Sequence, residues 1–117
     1  LKSRVFIVHL IRDPVMSADS LVRFFPSLEG DWSRALRMWH KWHRVNAKYA
    51  DFTMKLEDPF PGFMRIAQIL GLTPSVKDVE EGMRVAERGS KGTLGNFTRS
   101  VAPQEITDFA REYGYEV

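Results

Sequence analysis

The sequence predicts an α/β fold, rich in helix, with a minimal parallel sheet. Three observations carry that expectation. The run "RVFIVHLI" (4–11) is almost continuously apolar and holds β-branched side chains, as strands covered on both faces do. "DFTMKL" (51–56) alternates Phe52, Met54 and Leu56 with Thr53 and Lys55, the period of a half-buried strand. Between and after these two runs, apolar residues recur at helical spacing over segments too long for strands.

The elements follow in order. Pro14 closes the first strand, and Ala18, Leu21, Val22 and Phe25 then mark one face of a helix over 15–25. Pro26 and Gly30 break it. Asp31 is placed to cap a long helix over 32–50, with Trp32, Trp39, Trp42 and Tyr49 along it. After the strand at 51–56, Pro61 suits the first turn of a helix over 61–70 and Gly71 its C-terminal stop. A further helix spans roughly 75–87, starting at Pro74 or Ser75; a basic glycine-rich loop follows; a last helix runs from near Pro103 to Gly114. The order is β-α-α-β-α-α-loop-α.

Two strands do not make an independent parallel sheet. The chain also opens almost directly on a strand, at Leu1 rather than at a methionine. We therefore expect residues 1–117 to form a single partial domain whose sheet partners lie in a preceding segment, in another chain, or in helices that replace them. Apolar faces without their partners would favour self-association.

Composition narrows the function classes. The chain has 117 residues, 44% of them hydrophobic, enough for one core. It has no cysteine, so disulfides and thiolate metal sites are excluded. No apolar run approaches the ~20 residues that span a bilayer, and the N-terminus lacks the layout of a secretion signal. A cytoplasmic protein without a membrane partner is the expectation. A net charge of +2, from 17 basic and 15 acidic side chains, does not by itself call for nucleic acid.

Two stretches suggest an anion site. Arg12 stands at the carboxyl end of the first strand, where ligands of open α/β sheets bind. The helix that begins at Asp13 or Pro14 would point backbone N–H groups the same way, and Ser20 lies about two turns farther on, roughly 9–10 Å along the axis. A guanidinium and a hydroxyl could grip one phosphate between them. The second stretch, "SKGTLGNF" (90–97), lies within residues 82–99, where four basic side chains face one acidic one among four glycines. Gly92 would let backbone approach a ligand, and Lys91 adds a positive charge.

Together these residues resemble the sulfotransferase family that uses 3′-phosphoadenosine 5′-phosphosulfate, in its bacterial type. The family's 3′-phosphate motif is an arginine, then aspartate or asparagine, then proline, with a serine eight residues after the arginine; Arg12-Asp13-Pro14 and Ser20 match it. Its second signature, arginine-lysine-glycine with a second glycine three residues on, is similar to Ser90-Lys91-Gly92-Thr93-Leu94-Gly95-Asn96-Phe97. "FTMKLEDPFPGFMRIAQILGL" looks like the family's strand, acidic turn and helix, and "VAPQEI" followed by "GYE" resembles the tail of bacterial members. Ser90 replaces the family's arginine, with Arg88 near enough to substitute in part, and Asp78-Val79-Glu80 stands where many relatives carry an adenine-side threonine-serine-phenylalanine.

The resemblance covers nearly the whole chain but only the C-terminal half of the family's P-loop-like domain. It implies a nucleotide cosubstrate, with adenosine 3′,5′-bisphosphate as product. Arg12, Ser20, Arg88, Ser90, Lys91 and Gly92 would hold its 3′-phosphate. It implies no metal. The family's phosphosulfate loop, and the histidine or glutamate base after it, have no counterpart in these 117 residues. No catalytic residue is assigned, and the acceptor of the sulfuryl group stays unidentified.

Two other readings compete. The chain could be a non-catalytic remnant that keeps the fold as a binding or interaction module. It could also be a nucleic-acid binder using "WSRALRMWHKWHRVNAKY", but the aromatic side chains there are expected to be buried, and no reader motif is present. His40 and His43, at i and i+3, could hold a metal, but no carboxylate follows at i+4 and packing explains them better. His9, inside the strand, reads as a sheet or core histidine.

Overall fold

A computed structural model of the chain describes residues 5–89 and 99–117, with the backbone alone at 86–89. The element order is β1 (Val8–Ile11), α1 (Pro14–Phe24), a 3-10 turn (Pro26–Leu28), α2 (Trp32–Tyr49), β2 (Phe52–Lys55), α3 (Phe60–Ile69), α4 (Val76–Gly89) and α5 (Gln104–Glu112). The fold is α/β and helix-rich, with one two-stranded parallel sheet. Among the described residues the elements fall into two compact units: β1, β2, α3 and α4 form one, and α1, α2 and α5 the other.

In the first unit the strands pair in register, Val8 with Phe52 through Ile11 with Lys55. Asp51 fixes that register from one end, donating its N–H to the Ile7 carbonyl while its carboxylate accepts from the Ile7 N–H, both at 2.8 Å. The expectation of a strand covered on both faces is corrected. His9 and Ile11 are buried, but Leu10 is 47% exposed, because two strands are too narrow to bury both sides of a sheet. Met54 of β2 is buried, and its side chain fills the space where a Cβ on Gly62 of α3 would stand. Gly71, at a positive φ of 70°, ends α3; its N–H and that of Leu72 return to the carbonyls of Gln68 and Ala67. A reciprocal Ser75–Asp78 pair caps α4.

The second unit is a helical core. Ala18 and Val22 of α1, Leu28, Trp32, Ala35, Leu36 and Trp39 of α2, and Ile106 and Ala110 of α5 are buried in it. Asp31 caps α2 as its position predicts, accepting from the Arg34 N–H at 3.0 Å. Phe109 of α5 meets Trp39 and His40 edge-on, with ring centroids 5.7 and 5.1 Å apart.

Candidate functional site

Arg12 is the first of the two residues between β1 and α1. Its backbone is held in place: the Trp39 indole N–H donates to the Arg12 carbonyl at 3.2 Å. The residue is half-buried, and among the described residues no carboxylate pairs with its guanidinium. Ser20, also half-buried, lies in the second turn of α1.

The start of α1 differs from the expectation in one respect. Asp13 turns its carboxylate back on the helix, and Oδ1 accepts from the N–H groups of Val15 and Met16 at 2.8 and 3.0 Å. Pro14 has no N–H, and the Ser17 N–H is bonded to the Asp13 carbonyl. The three N–H donors of the first turn are thus accounted for by the chain itself. A phosphate at this place would be held by side chains rather than by a helix terminus. Arg12 offers a guanidinium and Ser20 a hydroxyl, each a group that can donate to a phosphate oxygen.

Ser90, Lys91 and Gly92 lie outside the described residues, as does the side chain of Arg88. Arg99, which follows that stretch, donates to Asp19 Oδ2 at 2.7 Å. Asp19 is almost fully buried, and its Oδ1 accepts from the Trp32 indole N–H at 2.9 Å. Ser100 is hydrogen-bonded to Ser33. The segment that follows the basic loop is therefore tied to α1 at the residue next to Ser20, and to the first turn of α2.

Sequence periodicity misses Asp19. It places Leu21 and Phe25 on the buried face of α1, whereas Leu21 is only half-buried, Phe25 is exposed, and Asp19 takes the inward position. The available signal was a carboxylate beside Ala18, with a tryptophan to follow whose N–H must find an acceptor if buried.

The histidines pack. His9 is buried and shares a 3.1 Å hydrogen bond between Nδ1 and Thr53 Oγ1; burial holds its pKa below the usual imidazole value. His40 is buried against Phe109, and its Nδ1 lies 3.7 Å from Glu105. Burial and then the Arg44 charge lower its pKa, with Glu105 opposing them. His43 stacks at a tilt on Trp39. Among the described residues no three histidines, aspartates or glutamates gather as metal ligands. Compared with family models, curated proteins and solved structures, the chain finds no match.

Proposed function

We propose that this chain carries the nucleotide 3′-phosphate site of a sulfotransferase that moves a sulfuryl group from 3′-phosphoadenosine 5′-phosphosulfate to a hydroxyl or amine acceptor, and that it is inactive by itself. The fold behind this reading is the C-terminal half of the P-loop-like sulfotransferase domain. The observation that carries it is the Arg99–Asp19 ion pair, which ties the end of the glycine-rich basic segment to α1 beside Ser20. The half-buried Arg12, with its backbone held by Trp39, adds a cation on the same stretch of chain.

In such a transfer the acceptor oxygen or nitrogen forms a bond to sulfur in line with the bond that breaks, the one from sulfur to the bridging oxygen of the nucleotide. The acceptor's proton passes to a base, and the electron pair leaves with the nucleotide. Arg12 and Ser20 act remotely from sulfur. They hold the 3′-phosphate by charge-assisted and neutral hydrogen bonds, so they supply binding and register rather than bond cleavage.

The test is thermal denaturation of the chain with adenosine 3′,5′-bisphosphate and, separately, adenosine 5′-monophosphate. The bisphosphate should raise the melting temperature more. Arg12→Ala should weaken its binding by roughly 10- to 100-fold, the loss of a charge-assisted contact, and erase the preference. No shift with either nucleotide overturns the reading.

A further inference from the structure

Helix α2 contains no acidic residue and five basic ones, Arg34, Arg37, Lys41, Arg44 and Lys48. Their spacing of three, four, three and four places them on one face, within about 80° of arc and over about 21 Å. All five are exposed, and among the described residues no carboxylate pairs with any of them. Like charges at this spacing oppose one another along a helix. A second stripe runs beside the first, one residue on: Met38, Trp42, Val45 and Tyr49. The last three are 51%, 47% and 65% exposed, so the expectation that the aromatic side chains of α2 are buried holds for Trp32 and Trp39 only. The helix thus has three faces: one buried in its unit, one cationic, and one apolar and exposed.

We propose that the cationic and apolar faces of α2 form a docking surface for an anionic phospholipid bilayer, on which the helix lies without crossing it. Charge complementarity selects an anionic partner, and the straight row of cations suits a flat one. The neighbouring stripe selects lipid over nucleic acid. Val45 and Met38 offer an apolar contact suited to lipid tails, and no asparagine or glutamine stands in either stripe to read an adenine edge. Trp42 and Tyr49 are the side chains that settle at the boundary between headgroups and hydrocarbon. Lys48, 5.8 Å from the centre of the Tyr49 ring, keeps a cation over that aromatic. This surface is independent of the nucleotide site.

The experiment is sedimentation of the full chain with phosphatidylcholine vesicles, with and without phosphatidylserine, together with Trp42 fluorescence. Vesicles containing phosphatidylserine should bind the chain, shift its emission to the blue and shield it from aqueous quencher; Trp42→Phe should remove that shift. Replacing Arg37→Gln, Lys41→Gln and Lys48→Gln together should lower partitioning by about tenfold or more. Replacing Lys77→Gln, Arg84→Gln and Arg111→Gln removes the same charge from exposed positions on other helices and should leave partitioning nearly unchanged. Equal losses in both triple variants would mean general charge attraction and overturn the assignment. So would binding to a single-stranded oligonucleotide with no binding to the vesicles.

Discussion

At the scale of single residues, Asp19 ties distant parts of the helical unit together. Each carboxylate oxygen has its own donor, the Trp32 indole on one and Arg99 on the other, and the group is almost fully buried. Asp19→Ala would leave a buried indole N–H and a partly buried guanidinium without acceptors. The expected loss is about 2 kcal/mol, at the low end for a broken buried pair because Arg99 keeps access to water. Asp19→Asn, which can still accept from Trp32, should lose less. Urea midpoints with an unchanged slope would measure both; an Asp19→Ala chain as stable as the parent would show that the pair contributes nothing. This role was not legible in the sequence. Arg99 lies 80 residues from Asp19, and helical periodicity describes neighbours three and four apart, not partners at that distance.

At the scale of elements, local chemistry reads well. Asp31, Pro61, Gly71 and Gly114 mark helix ends where the sequence places them. The 3-10 turn at Pro26–Leu28 falls inside the break expected from Pro26 and Gly30. The contact between β2 and α3 depends on Gly62, where Met54 leaves no room for a methyl group. The conflict involves the Met54 Cβ and Cγ as well as the flexible end of the side chain, so rotation alone does not relieve it. Gly62→Ala should therefore cost about 1–3 kcal/mol despite alanine's better helix propensity. Thermal or urea denaturation would test this; a stabilised variant would mean that α3 and β2 are packed more loosely than described. The sequence gives Gly62 only as a glycine near a helix start, and the need for it arises from a strand side chain across the contact.

At the scale of the whole molecule, each compact unit carries one buried histidine, His9 with the sheet and His40 with the helices. Both have pKa values held below the ordinary 6.5, chiefly by burial. The folded state therefore favours neutral imidazole more than the unfolded chain does. That stability is fully present above about pH 6.5 and is lost as pH falls through the folded-state values. Denaturation midpoints should decline between neutrality and about pH 5, before most carboxylates titrate. A midpoint that stays flat or rises over that window would show that the histidines are better hydrated than their burial indicates.

The order of amino acids by itself determined the α/β class, the sequence of elements and most of their ends, because period and capping act over a few neighbouring residues. It also placed Arg12 between a strand and a helix, and Ser20 in the second turn of that helix. Only the tertiary structure decided that the first turn of α1 spends its donors on Asp13, that Trp39 holds the Arg12 backbone, that Asp19 receives Arg99, and that Trp42 and Tyr49 face outward while Trp32 and Trp39 are buried. Whether a carboxylate faces a helix terminus or a partner far along the chain, and which of three tryptophans on one helix meet a neighbour, depends on how helices pack, and packing is set by contacts that no local pattern encodes.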